Sequence, residues 1–175
     1  MKKVILSVVG LLGLLSVGCH DVAVGYLRTE EASYVPDSMI VKRVLDNDPG
    51  VENPMWSFYL NDLKFKPIDI IRMGIKERIN TGEDYERDRL QLPWLSTKIQ
   101  GIKGTMPIHV QVKKITSENG DPEEMLKLLT VRGDGMLILP TDVFSIPEGR
   151  YKISLNFCNE GYSKDVENIF TIIVK

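Results

Sequence analysis

An all-β sandwich is the fold this sequence predicts, and three observations predict it. Apolar stretches recur through its second half with turn residues roughly every 8–12 positions, the spacing of strands joined by tight connections. Two of these stretches, 108–113 and 151–157, alternate between apolar and polar residues, as half-buried strands do. A nearly continuous apolar run, IFTIIV at 169–174, supplies the closing strand.

Each element follows from its own residues. SMIVKRVL at 38–45 is β-branched and apolar enough for the first strand, and DNDPG at 46–50 supplies the turn after it. Residues 51–93 are too long for a structureless sandwich loop and are expected as an insertion, partly helical or irregular, packed on the sandwich. Within them Ile68, Ile71, Ile75 and Ile79 recur at helical spacing, which predicts a short amphipathic helix in spite of Gly74. Pro107–Ile115 is a strand with Ile108, Val110 and Val112 on one face and His109, Gln111 and Lys113 on the other. Asp121-Pro122-Glu123-Glu124 starts a helix, with Asp as cap and Pro at the first helical position, and Met125–Leu129 leaves room for a turn or two. Gly133-Asp134-Gly135 predicts a hairpin between 129–132 and 136–139. After the turn Pro147-Glu148-Gly149, Tyr151, Ile153, Leu155 and Phe157 face one way and Lys152, Ser154 and Asn156 the other, until Asn159-Glu160-Gly161 ends the strand.

The beginning of the chain has a different character. Met1-Lys2-Lys3 is basic, and Val4–Gly18 follows as 15 uncharged residues. A membrane-spanning helix needs roughly 18 or more. A basic start, a short apolar run and small residues before a break mark 1–18 as a secretory signal peptide. Cys19 comes next, followed by polar His20 and Asp21. This junction resembles the lipobox of bacterial lipoproteins, with Leu15 one step before the usual position, which Ser16 takes. The resemblance implies lipidation of Cys19, attachment to a membrane through that lipid, and cleavage before it. Two or more acyl chains anchor stably where one does not. Residues 19–36 are then anchor and tether, and 37–175 the sandwich with its insertion at about 51–93.

Removing 1–18 leaves 157 residues with a net charge of −4, a size suited to one domain. The charge-rich run 72–89 sums to zero, so neither the whole nor this part has the basic footprint of a nucleic-acid binder. With Cys19 lipidated, Cys158 has no partner for an intrachain disulfide. His20 and His109 are the only histidines, and no ligand spacing for zinc exists, so no metal and no cofactor is expected. No catalytic motif is present. Glu83, Asp84, Glu86 and Asp88, interleaved with Arg87 and Arg89, read as a solvated, self-neutralising stretch rather than as paired catalytic carboxylates. Cys158, with no histidine near it in sequence, reads as a structural thiol.

Residues 129–175, with their glycine-containing hairpin, Gly149-Arg150-Tyr151 and closing apolar strand, resemble an immunoglobulin-like or cadherin-like domain. The resemblance implies an immunoglobulin-like β-sandwich, in which Tyr151 is either a tyrosine corner or a plain core tyrosine. The calcium motifs of cadherins are missing, so calcium is not implied. Pro36-Asp37-Ser38, Pro93-Trp94 and IQGIKGTMPI at 99–108 make residues 19–175 similar to uncharacterised surface lipoproteins of Bacteroidetes. That similarity implies an outer-membrane location, facing the periplasm or the outside. Asp37-Ser38-Met39 further resembles the acceptor for O-glycosylation of exported proteins in that group, which makes Ser38 a candidate site.

Trp56, Phe58 and Tyr59 lie close together with Asn53 and Asn61 nearby. Exposed rings flanked by hydrogen-bonding groups stack sugars; the alternative is that the rings are core. Trp94, beside Pro93, is expected to be structural. The expected function is therefore a non-catalytic, lipid-anchored binding module, with glycans as ligand. The alternative is a structural or assembly subunit of an envelope or fimbria-like complex, docking a protein through an open strand edge or an apolar patch.

Overall fold

The computed structural model describes residues 25–175; the leader and Cys19 lie outside the described residues. Strand outweighs helix, 36% to 19%, in keeping with the mainly-β expectation. The framework is a hairpin of two long strands, β10 (Gly149–Asn159) and β11 (Tyr162–Val174). β7 (His109–Ser117) pairs antiparallel with β10, and β2 (Ser38–Val41) pairs parallel with β11, giving the order β2-β11-β10-β7. Three shorter strands, β5 (Trp94–Leu95), β8 (Thr130–Val131) and β9 (Leu137–Leu139), form a second sheet in the order β5-β9-β8. Tyr151, Ile153, Leu155 and Phe157 of β10, Phe170 and Ile172 of β11, and Leu137 and Leu139 of β9 share one contiguous core. Each large apolar side chain so buried contributes roughly 1.5–3 kcal/mol, and among the described residues no disulfide adds to this.

The alternation is corrected where it would fail. Lys113 is an extra residue in β7 opposite Ser154 and Leu155, so Val112 and Ile115 both turn inward although three positions separate them. A second irregularity lies between Ile153 and Leu155 against β11. There the Asn168 amide donates to buried Ser154 Oγ at 3.0 Å, and Ser154 Oγ donates to Glu167 Oε2 at 3.0 Å.

The buried Tyr151 ring puts its hydroxyl to use. It donates to the Pro147 carbonyl at 2.7 Å and accepts from the Asp121 amide at 3.1 Å. Asp121 Oδ1 in turn accepts from the amides of Glu123 and Glu124, and a helix over Pro122–Leu128 begins as expected. The 133–135 hairpin also forms, with Gly135 at φ +77°.

Three expectations are corrected. The segment 19–36 is not all tether: Leu27 and Tyr34 belong to the core, β1 (Leu27–Arg28) pairs with β6 (Lys103–Gly104), and Ser33 bridges Gln100. The Tyr34 hydroxyl donates to the Gly135 carbonyl, and burial beside Asp134 pushes this phenol well above its ordinary pKa. Strand β2 stops at Val41 rather than Leu45, where the Arg43 amide donates to the Lys175 carbonyl. The closing strand starts at Tyr162, seven residues before the apolar run, because its first half is an amphipathic hairpin partner of β10.

The topology sets two poles. Gly25 packs against Glu160 and Thr105, at the turn of the β10–β11 hairpin. β2 runs alongside the far end of β11, so residues 42–93 leave the sheet at the opposite pole. The thirteen residues of β11 span roughly 40 Å between the two.

Candidate functional site

The segment between β2 and β5 is built in three levels. At its base the Asp84 side chain is buried and holds two partners. Lys42 Nζ lies 2.7 Å from Asp84 Oδ2 and 2.7 Å from Glu83 Oε2, and the Asp46 amide donates to Asp84 Oδ2 at 3.2 Å. Burial alone would raise the Asp84 pKa; the Lys42 ammonium and the Asp46 amide outweigh it and hold the carboxyl below its ordinary value. Arg87 closes the base on the other side. It donates to the carbonyls of Leu92 and Pro93, both at 2.9 Å, and its guanidinium lies 3.8 Å from the centre of the Trp94 ring. Trp94 donates from its indole nitrogen to the Thr141 carbonyl at 3.3 Å, which gives it a structural place.

Above the base is a narrow neck. β3 (Val51–Glu52) and β4 (Arg78–Ile79) pair antiparallel. Asn53 donates to the Lys76 and Glu77 carbonyls at 2.7 and 2.9 Å, and Arg78 donates to those of Pro49 and Gly50.

Residues 54–76 form the tip. Asn53 Oδ1 accepts from the Met55 amide, and Pro54 opens helix α1 (Pro54–Ser57). The helix widens at once into a π-turn, Phe58–Asp62, closed by the Leu63 amide on the Phe58 carbonyl at 3.2 Å. Lys64, at φ +57°, turns the chain into α2 (Pro67–Arg72), again opened by proline. A third short helix, α3 (Tyr85–Leu90), lies in the base.

The tip divides the predicted aromatic trio. Trp56 is only 7% exposed, Phe58 is 46% exposed and Tyr59 is half-buried. Phe65, which the sequence reading did not single out, completes an edge-to-face cluster. Its ring lies 5.5 Å from Tyr59, and Tyr59 lies 5.8 Å from Phe58. The isoleucine face is also corrected. Ile70 is fully buried while Ile68 and Ile71 are 51% and 58% exposed, and Ile79 belongs to β4 rather than to a helix. Met55, Leu63 and Met73 are exposed beside them. Trp56 and Ile70 stand outside the contiguous core of the two sheets. Lys64, Lys66, Arg72 and Lys76 against Asp62 and Asp69 leave the tip at +2 in a chain of −2.

The remaining candidates fall elsewhere. Ser38 opens β2, half-buried, in register with Thr171. Of the four carboxylates of 83–88 only Asp84 departs from a solvated, self-neutralising stretch, being buried on Lys42; Glu83 and Glu86 are exposed, Glu86 paired with Arg89 at 2.6 Å, and Asp88 accepts from Asn47 at 2.9 Å. Cys158 does have a histidine near it: it lies within β10 directly opposite His109 of β7. No hydrogen bond joins the two among the described residues. Nor do any three His, Cys, Asp or Glu of the described residues gather as metal ligands. Compared with protein-family models, with curated proteins and with solved structures, the chain matches none.

Proposed function

We propose that this protein is a lipid-anchored envelope module that binds a protein partner through the apolar tip of its insertion. The observation that carries the reading is the tip itself: Met55, Phe58, Leu63, Phe65, Ile68, Ile71 and Met73 are all exposed within residues 55–73. Large exposed apolar patches on soluble domains mark interaction surfaces. Aliphatic and methionine side chains dominate this one, and its rings meet edge to face, which suits a protein surface better than the flat stacking of a sugar. Lysines 64, 66 and 76 around it, which make no ion pair among the described residues, suit an acidic rim on the partner.

Placement supports the same reading. Six peptide units between Cys19 and Gly25 reach roughly 20 Å, which keeps the hairpin pole near the lipid and points the tip away from it. The β7 edge of the main sheet is a poorer docking place, because β7 is bulged and carries Lys113 and Lys114 at the bulge, and the β2 edge is only four residues long. The fold is read as immunoglobulin-like. Taken in chain order as strands B to G, β5, β7, β8, β9, β10 and β11 give sheets B-E-D and C-F-G, and the Tyr151–Pro147 bond near the start of β10 fits a tyrosine corner.

A photo-crosslinking residue at Phe65 in the cell, with a control at Gln111, tests the docking. A discrete adduct with one protein from Phe65 alone supports it when that protein, purified, binds wild type and loses about tenfold or more in affinity for Phe58→Ala/Phe65→Ala. Adducts with lipid only, or unchanged affinity in the double variant, would overturn it.

A further inference from the structure

A second surface at the insertion's pole has the features of a ligand site. The end of β7 and the start of β10, with the loop between β7 and the 122–128 helix, enclose a groove of about 330 Å³ lined by the side chains of Thr116, Ser117, Glu118, Asn119, Arg150 and Lys152, so two cations face one carboxylate. This volume is at the lower end of the range of small-ligand sites. Arg150 and Lys152 are alternate residues of one strand, so they leave the same face about 7 Å apart. Among the described residues neither makes an ion pair, although Arg43, Lys103, Lys113, Lys127 and Arg132 all do. Thr116 lies opposite Lys152 in register, so the two side chains leave the same face of the sheet.

The groove is braced by a core tyrosine and by a contact within its own loop. Tyr151 sits between the two cations in sequence and turns inward, and its hydroxyl ties Asp121, which follows the loop carrying Asn119, to Pro147, two residues before β10. Ser117 Oγ accepts from the Gly120 amide at 2.9 Å, which fixes the loop that carries Asn119. A preorganised groove costs less ordering on binding than a mobile one.

We infer that this groove binds an acidic saccharide, its carboxylate or sulfate groups on Arg150 and Lys152 and its hydroxyls on Thr116, Ser117 and Asn119. Arg150 offers a planar fork for an oxyanion and Lys152 a point charge, while hydroxyl and amide side chains match sugar hydroxyls. This site is separate from the apolar tip and stands or falls independently of it.

Thermophoresis of the whole protein in detergent, at 150 mM salt, tests the inference. The probes are oligogalacturonate, a heparin-derived oligosaccharide, a neutral cello-oligosaccharide and inorganic phosphate. Binding of an acidic oligosaccharide is expected, with none of the neutral one. Arg150→Ala/Lys152→Ala is expected to weaken it by about tenfold or more and Thr116→Ala/Asn119→Ala by a smaller but measurable factor. Lys66→Ala/Lys76→Ala, with the same loss of charge, is expected to leave it unchanged. Absence of acidic-saccharide binding, an equal loss in the Lys66/Lys76 variant, no effect of Thr116/Asn119, or phosphate competing at the same concentration would each overturn it. All substituted side chains lie on the surface, and unchanged thermal melting verifies that the variants fold.

Discussion

Lys42 reaches out from the end of β2 to place its ammonium 2.7 Å from the buried carboxylate of Asp84, joining the main sheet to the base of the insertion. Hydrogen bonds to a charged partner contribute roughly 1.5–3 kcal/mol. Asp84→Ala also strips the Asp46 amide of its acceptor. The expected outcome is faster amide exchange over residues 42–48 and 82–92 with β10 and β11 unchanged, read by hydrogen–deuterium exchange. Uniform loss of protection would show that the base and the sandwich are one cooperative unit.

The same pair sets a pH dependence. The Asp84 pKa is lowered on folding, so its contribution is fully present above the ordinary carboxylate value of about 4 and is lost as pH falls through the lower folded value. The Lys42 pKa is raised, by Asp84 first and Glu83 second, so its contribution is lost only above the ordinary lysine range. The base is therefore expected to be insensitive between about pH 5 and 9 and to loosen below pH 4. Exchange at residues 82–92 measured from pH 7 to pH 3 checks this. In Asp84→Asn the acid-induced step at these residues should be absent.

Tyr151→Phe keeps the buried ring and removes two hydrogen bonds, leaving the Asp121 amide without its acceptor. The expected cost is about 1–3 kcal/mol by urea denaturation, with no change in the denaturant slope. A value near zero would mean that water replaces the hydroxyl at both partners.

Two glycines separate backbone demand from mere composition. Gly101 has φ +77°, and a Cβ there would stand 1.9 Å from the Glu31 carbonyl oxygen. Gly101→Ala is expected to cost more than about 2 kcal/mol from conformation and overlap together. Gly133, with open space around it, is expected to tolerate alanine within about 1 kcal/mol. Equal melting temperatures for the two variants would contradict this.

These residues also show what the sequence could reveal. Strands β7 and β10, the 133–135 hairpin and the Asp121 cap were legible because period-2 alternation and cap chemistry are local. The core role of Leu27 and Tyr34 was not, since it depends on pairing with residues some seventy to a hundred positions away. Ile68, Ile71, Ile75 and Ile79 misled because the helix ends at Arg72 and turns Ile70 inward instead. Phe65, one of the aromatics of this segment, stood outside the Trp56, Phe58 and Tyr59 group in the sequence because the π-turn and the Lys64 reversal, not sequence spacing, bring it to Tyr59. The groove at Arg150 and Lys152 was hidden by the strand pattern itself, which marks those positions only as solvent-facing.

Trp56 makes the last prediction, and it separates folding from binding. Its ring is buried, yet it stands outside the contiguous core of the two sheets, in a tip joined to the base through strands of two residues each. Truncating a buried tryptophan typically costs about 3–5 kcal/mol. So short a neck is not expected to hold the tip against such a loss, and the core of the two sheets, to which Trp56 does not belong, is expected to survive it. Trp56→Ala is therefore expected to melt residues 54–76 alone: limited proteolysis should cut there, while the main thermal transition stays within a few degrees of wild type. Phe58→Ala and Phe65→Ala, at exposed rings, should leave the tip resistant to the protease. Loss of the partner in all three variants, with cleavage only in Trp56→Ala, would separate the ring that builds the surface from the rings that present it. Cleavage in all three would mean that the edge-to-face cluster is itself what folds the tip.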